Sequence, residues 1–190
     1  TYMKTVLLTG FGPFGSITDN PSSTLIKSID PHLEQKSILS KILSLPVSYS
    51  RAPTLIDNVL NYKKFDLILG FGLHRGQDFR LETTAKPYPT SQGKDYDGDT
   101  GSVFEPINHH QLYTTLDAEE LLNQANQKEP WIRKSTDASG YVCEAIYHRL
   151  LSHAVKTDTD CAFIHIPSFD FQPKEKQLEL ILNLIELALK

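Results

Sequence analysis

Short apolar runs alternate with longer amphipathic stretches along this chain, and this alternation limits the possible folds more than any other feature of the sequence. Apolar runs of about four to eight residues are typical of buried strands, and apolar positions that recur every three to four residues indicate helices. The apolar runs predict strands over 5–9, 41–47, 66–71, 79–86, 131–135 and 161–166. The periodic stretches predict helices over 22–29, 52–62, 117–127, 141–155 and 174–189.

Strands that alternate with helices predict the α/β class, with a mostly parallel twisted sheet covered by helices on both faces. A chain of 190 residues fits one domain, which we expect to span 1–190. Residues 88–110 follow neither period and are rich in Pro, Gly, Asp and Ser. They predict a long loop that could be a lid, a contact in a homo-oligomer or a disordered segment.

Composition narrows the classes of partner. The chain has 19 Lys and Arg against 23 Asp and Glu, a net charge of −4, which favours neither nucleic acid nor an anionic membrane as a partner. No apolar run is long enough for a membrane span, and no export signal is visible. Two cysteines are too few for a disulfide scaffold, so we expect a reducing, cytoplasmic location.

A glycine-rich loop follows the first predicted strand. Gly10, Gly12 and Gly15 satisfy the G-x-G-x-x-G pattern of dinucleotide-binding proteins. The next strand has no acidic residue at its end, however, and Asn20 and Pro21 predict that the helix begins late, with Asn20 as its N-cap. The nucleotide-binding alternative is therefore disfavoured. The loop instead presents Phe11 and Phe14, either to a ligand at the sheet edge or to the core.

Two residues are candidates for chemistry. Cys143 falls in the first turn of a predicted helix, where the helix dipole favours a thiolate and free N–H groups can bind an oxyanion. His165 ends an apolar strand, at the edge where α/β sheets bind ligands. The alternatives are a buried structural cysteine and a structural histidine. Cys161 and His165 lie four residues apart on one strand, too far to share a metal, and Cys161 is interpreted as core packing.

Two acidic segments call for separate interpretation. Glu82 alternates with Phe79 and Leu81, so it shares a strand face with Arg80, and it either pairs with Arg80 at the surface or orients His165. Residues 95–101 resemble a calcium loop, but the glycines are misplaced and Pro106 stands where a bidentate carboxylate is required. We therefore predict a solvated turn there and no metal site.

Taken together, the motifs resemble pyroglutamyl peptidase type I, also called pyrrolidone-carboxylate peptidase, a family of cysteine exopeptidases. The resemblance extends over nearly the whole chain. The matching segments are 6–15, 20–22, 45–49, Glu82, 112–116, 138–143 and 163–167.

The resemblance implies hydrolysis of an amino-terminal pyroglutamyl (5-oxoproline) residue from a peptide, without metal or cofactor. It implies three catalytic residues, which are Glu82, Cys143 and His165. It further implies an aromatic clamp on the lactam ring and residues that line or support the pocket. These are Phe11, Phe14, Asn20, Tyr141 and Val142.

Some positions depart from the family pattern. A glutamine expected in the segment 70–76 is absent, Ser139 replaces a glycine, and Glu144 replaces Asn or Asp after the cysteine. The departures in the segment 70–76 leave open a divergent homologue that binds a small amide-like ligand without turnover.

Overall fold

A six-stranded sheet forms the centre of the computed structural model, which describes residues 2–190. Its strands lie in the order β2-β1-β3-β8-β4-β7. Their bounds are β1 Thr5–Phe11, β2 Leu39–Leu45, β3 Leu67–Leu73, β4 Phe79–Glu82, β7 Ile132–Ser135 and β8 Asp160–Ile166. Neighbouring strands are parallel except β4 and β8, which are antiparallel. The mostly parallel sheet is confirmed, and β4 with β7 runs against the other four strands.

Helices cover both faces of the sheet, as predicted. Their bounds are α1 Pro21–Gln35, α2 Arg51–Leu60, α3 Ala118–Ala125, α4 Val142–Thr157 and α5 Lys174–Ala188. Along β1, Val6 and Leu8 pack with α1, α3 and α5, whereas Leu7 and Phe11 pack with α2 and α4. This alternation gives the molecule two apolar cores, one on each side of the sheet. Within residues 2–190, no helix has the length and apolar character required to cross a membrane.

The predicted strand over 79–86 is interrupted at Thr83. Thr83 donates its N–H and its hydroxyl to the Ser135 carbonyl, at 2.8 and 2.9 Å. After this break the chain forms β5 (Thr84–Ala85), which pairs with β6 (Leu112–Tyr113) in a separate two-stranded sheet. The long strand prediction was therefore wrong beyond Glu82, because side-chain and backbone bonds to the end of β7 turn the chain away from the main sheet.

Residues 88–110 form a long loop with one short 3-10 helix, Gly101–Val103. The expectation of a simply solvated acidic turn was wrong, because Asp95 is buried. Its carboxylate accepts the N–H groups of Tyr49, Asp97 and Asp99, each at 2.9 Å. The loop is thus fixed to the connection between β2 and α2.

Candidate active site

The carboxyl ends of β1, β3 and β8 meet at one edge of the sheet, next to the beginning of α4. His165 is the second-last residue of β8, and in the β4–β8 pairing it lies opposite Arg80, while Glu82 lies opposite Phe163. Directly opposed residues in an antiparallel pair project to the same face. All four side chains therefore project to the face that α4 covers.

Glu82 and His165 form a buried pair. Glu82 Oε1 lies 2.9 Å from His165 Nδ1, and the two residues are 0% and 3% exposed. This contradicts the alternative of a surface pair between Glu82 and Arg80, and Arg80 binds Asp78 instead, at 3.3 Å. Tyr147 of α4 donates its hydroxyl to the Glu82 carbonyl at 2.7 Å, which fixes the end of β4. A carboxylate on Nδ1 leaves Nε2 as the ring nitrogen available for chemistry.

Cys143 is the second residue of α4, so the prediction of a cysteine in a first helical turn is confirmed. Its sulfur lies over β3 at Gly72, where an added Cβ would come within 2.7 Å of Sγ. Gly72 is the register partner of His165. The absence of a side chain at Gly72 therefore lets the start of α4 approach His165 closely.

The electrostatics of His165 depend on its two acidic partners. Burial alone would lower the pKa of His165, because a charged ring loses its hydration. Hydrogen bonds with Cys143 and Glu82, together with the negative charges of these two groups, outweigh burial and raise the pKa to about 9. At neutral pH this arrangement keeps the His165 ring protonated.

The segment before α4 positions Cys143. Ser139 and Gly140 both have positive φ, at 90° and 69°, and turn the chain into the helix. Glu144, which follows Cys143, accepts the N–H of Gly140 at 2.7 Å and the N–H of Lys86 at 2.8 Å. Its carboxylate is therefore bound to the backbone. Val142 and Cys143 occupy the first two helical positions, where N–H groups have no intrahelical acceptor and can receive an oxyanion.

Asn20 supports the loop that carries the aromatic residues. It is the N-cap of α1 with Pro21 in the first turn, as predicted, and its Oδ1 accepts the N–H and hydroxyl of Ser22. Its Nδ2 donates to the Gly12 carbonyl at 3.1 Å. The Ser22 hydroxyl in turn accepts the Phe11 N–H at 3.0 Å. These bonds fix the backbone on both sides of Phe11, and the helix begins too late for a dinucleotide fingerprint.

A cavity of about 750 Å³ opens at this edge of the sheet. It is lined by all the predicted pocket residues together with two of the three predicted catalytic residues. These are Phe11, Phe14, Asn20, Tyr141, Val142, Cys143 and His165. Glu82 does not line the cavity and lies buried behind His165. The Phe14 and Tyr141 ring centroids are 5.8 Å apart, which gives the cavity one aromatic wall.

Sequence reasoning did not assign the other wall of the cavity, which includes His74, Arg75, Arg80 and Phe171. His74 Nε2 lies 2.5 Å from the Asp78 carbonyl, and its Nδ1 accepts the Gly76 N–H at 3.2 Å. Burial lowers the pKa of His74, and the positive charges of His165 and Arg80 add to the effect. The unusual composition of the segment 70–76 was the available signal for this wall.

Two other predictions concern residues outside the cavity. Cys161 is fully buried in the core beneath α4, as predicted, and burial raises its thiol pKa strongly.

The acidic side chains of Asp95, Asp97 and Asp99 converge within 4.8 Å of one another. Asp95 is bound by backbone N–H groups, however, and Asp97 forms a two-bond ion pair with Arg51 at 2.7 and 2.8 Å. These contacts account for the cluster as a structural anchor of the loop.

The sequence of this chain also matches those of known proteins. A sequence model of the family described as Pyroglutamyl peptidase matches residues 4–180. A pyrrolidone-carboxylate peptidase from Saccharolobus islandicus is 28% identical over 166 residues, which cover 86% of this chain and 79% of the relative. Another, from Brevibacillus brevis, is 24% identical over 200 residues, covering 99% and 92%.

Solved structures show the same fold. A mutant pyrrolidone carboxyl peptidase from Pyrococcus furiosus superposes with a TM-score of 0.87 at 22% identity, covering 97% of this chain and 98% of that one. Pyroglutamyl peptidase I from Bacillus amyloliquefaciens superposes with a TM-score of 0.83 at 21% identity, covering 98% and 97%.

Proposed function

This chain belongs to the pyroglutamyl peptidase family, and we propose that it hydrolyses the bond between an amino-terminal pyroglutamyl residue and the rest of a peptide. The observation that supports this most directly is the buried contact between Glu82 and His165, at 2.9 Å, behind the cavity that Cys143 lines. A carboxylate, an imidazole and a thiol in this order form the orienting acid, the base and the nucleophile of a cysteine peptidase.

In the proposed reaction, the Cys143 thiolate attacks the exocyclic carbonyl carbon of the pyroglutamyl residue, which is the carbon bonded to the next residue's nitrogen. The oxyanion of the tetrahedral intermediate is bound by N–H groups at the start of α4. The C–N bond then breaks, and the imidazolium of His165 gives its proton to the leaving amine, which leaves a thioester on Cys143. His165 next takes a proton from water, the resulting hydroxide attacks the thioester, and pyroglutamate leaves as the thiolate re-forms.

Glu82 acts on this cycle through His165. Its carboxylate accepts the Nδ1 proton, which keeps Nε2 directed at the thiol and stabilises the imidazolium. Both residues are buried, and a hydrogen bond in a low-dielectric interior is electrostatically stronger than one in water.

The cavity suits a lactam better than an ordinary amino terminus. A pyroglutamyl residue has no charged amine, and the wall formed by Phe11, Phe14, Tyr141 and Val142 offers aromatic and aliphatic surface for a flat, uncharged ring. A protonated amine placed against this wall would lose its hydration, and none of these four side chains is acidic. We propose that this difference selects pyroglutamate.

The test is release of a fluorogenic amine from its pyroglutamyl amide. We expect turnover by the unmodified protein and a loss of about three orders of magnitude or more in Cys143→Ser. Cys161→Ala is the matched control, because it removes the other thiol without touching the cavity, and it should keep most of the activity. Iodoacetamide should label Cys143 faster than the buried Cys161.

A different outcome would distinguish a protein that only binds. If the unmodified protein released no more amine than Cys143→Ser, and the two cysteines were labelled at equal rates, the peptidase proposal would fail. Binding of a pyroglutamyl amide without turnover would then support a non-catalytic homologue.

A further inference from the structure

Two arginines line the cavity on the side away from the aromatic wall. Arg80 lies on β4, directly opposite His165, and Arg75 lies on the connection between β3 and β4. Among the described residues that line the cavity, only Asp137 is acidic, and its carboxylate accepts the backbone N–H of Ser139 at 3.0 Å. The wall next to His165 is therefore predominantly positive.

The charge of Arg80 is only partly neutralised inside the protein. Its Nε lies 3.3 Å from Asp78 Oδ1 and 3.4 Å from Oδ2, and Arg133 Nε also lies 3.4 Å from Oδ2. His74 Nε2 also lies 3.6 Å from Asp78. One carboxylate thus serves two guanidinium groups, and an arginine fork with one nitrogen engaged still has donors for a second carboxylate.

Arg75 is exposed and has no ion pair among residues 2–190. The turn that carries it is fixed from beneath, because both ring nitrogens of His74 are engaged by the backbone of Gly76 and Asp78. A rigid turn that presents an unpaired guanidinium at a cavity wall is suited to binding an anion.

The chemistry of the proposed reaction indicates which part of the substrate reaches this wall. His165 gives its proton to the leaving amine, so the residue that follows pyroglutamate begins next to His165. Arg80 is the neighbour of His165 on the adjacent strand and the same face. The side chain of the leaving residue therefore begins next to Arg80, in the cavity that Arg75 also lines.

We propose that Arg75 and Arg80 form a subsite for a carboxylate on the residue after pyroglutamate, so that this chain prefers pyroglutamyl peptides with Glu or Asp at the second position. This inference rests on the proposed function and adds its substrate class. Partly exposed ion pairs have modest effects, so we expect a preference of about 5- to 10-fold in kcat/KM over a neutral residue of the same shape.

The experiment compares three dipeptide amides, pyroglutamyl-Glu, pyroglutamyl-Gln and pyroglutamyl-Lys, whose amidated ends remove the terminal carboxylate. We expect kcat/KM to be highest for the Glu substrate and lowest for the Lys substrate. The ratio of Glu to Gln should fall as salt is raised, because salt screens exposed ion pairs. The free acid of pyroglutamyl-Ala should likewise have a higher kcat/KM than its amide if its terminal carboxylate reaches the arginines.

Variants assign the preference to the two arginines. Arg75→Gln and Arg80→Gln should each lower the Glu to Gln ratio toward one, and Arg80→Lys should retain part of it. Lys134→Gln removes a positive charge from β7 outside the cavity and should leave the ratio unchanged. Arg75 is exposed on a turn, so its variant tests the subsite even if the Arg80 variant folds poorly.

The possible failures are distinct. Equal kcat/KM on all three substrates, or a preference that both arginine variants retain, would overturn the subsite and leave the peptidase proposal standing. Failure to cleave any of the three would overturn the proposed function and the subsite with it.

Discussion

His165 holds its proton because of two neighbours that are distant in sequence. Glu82 and Cys143 both stabilise the charged ring, and together they overcome the burial of His165 and raise its pKa to about 9. A histidine with its ordinary pKa of about 6.5 would be mostly neutral at pH 7. The residue environment, more than the residue type, therefore determines the working pH range.

This environment predicts the alkaline limb of the pH profile. The active form carries the proton on His165, so kcat/KM should fall as pH rises through about 9. Glu82→Gln removes a group that raises the pKa, so the limb should move down toward 6.5, and activity should fall by about two to four orders of magnitude. The measurement is kcat/KM for a pyroglutamyl amide between pH 5 and about 10.5.

Glu144→Gln is the matched control for that profile. Glu144 is also a buried glutamate close to Cys143, but its carboxylate binds the N–H groups of Gly140 and Lys86 and not His165. Its alkaline limb should therefore stay near 9. A limb that stays near 9 in Glu82→Gln, or activity that still climbs through pH 10, would contradict the imidazolium role of His165.

At the scale of elements, the turn that leads into α4 contains local strain. Ser139 has φ of 90°, a backbone conformation in which a Cβ is crowded and which favours glycine. Its N–H is fixed by Asp137 and the N–H of Gly140 is fixed by Glu144, so the turn cannot relax without moving the start of α4.

Ser139→Gly should therefore stabilise the protein. Removing the Cβ relieves the strain, and we expect the free energy of unfolding in urea to rise by about 1 kcal/mol. Ser139→Ala keeps a Cβ and loses only the hydroxyl, so it should give no such gain. Equal stability of the glycine and alanine variants would show that the turn stores no strain at this position.

Sequence patterns predicted the helices and the central parallel strands β1, β3 and β8 well, because each of these elements buries a periodic or continuous apolar face. The break at Thr83 and the reversed direction of β4 do not produce an apolar pattern of this kind in the sequence. Alternation of Arg80 and Glu82 with Phe79 and Leu81 indicated a shared strand face, but pairing partners 83 residues apart cannot be read from alternation. The contact between Glu82 and His165 follows from that pairing. This contact could therefore be expected only through the family resemblance.

At the scale of the whole molecule, the long loop over 88–110 joins the turn before α4 to the connection between β2 and α2. On one side, Thr90 and Ser91 donate to the Gly140 carbonyl, at 3.0 and 2.9 Å, next to Tyr141. On the other side, the buried Asp95 accepts the Tyr49 N–H in the connection between β2 and α2. The Tyr49 and Tyr141 rings also meet edge to face, with centroids 5.7 Å apart. The aromatic wall therefore depends on the anchoring of the loop.

Asp95→Ala should disturb stability and the cavity together. The substitution leaves three backbone N–H groups without their acceptor, one of them the buried N–H of Tyr49, so we expect a loss of about 3 kcal/mol in the free energy of unfolding. Because Tyr141 packs on Tyr49, KM for a pyroglutamyl amide should rise more than kcat falls.

Asp99→Asn is the control, since the main-chain carbonyl of Asp99 binds Asp95 and its side chain makes no hydrogen bond among residues 2–190. It should change the unfolding free energy by less than about 0.5 kcal/mol. If calcium raised the melting temperature of the unmodified protein but not of Asp95→Ala, the acidic cluster would bind a cation, and the anchoring role argued for Asp95 would be incomplete.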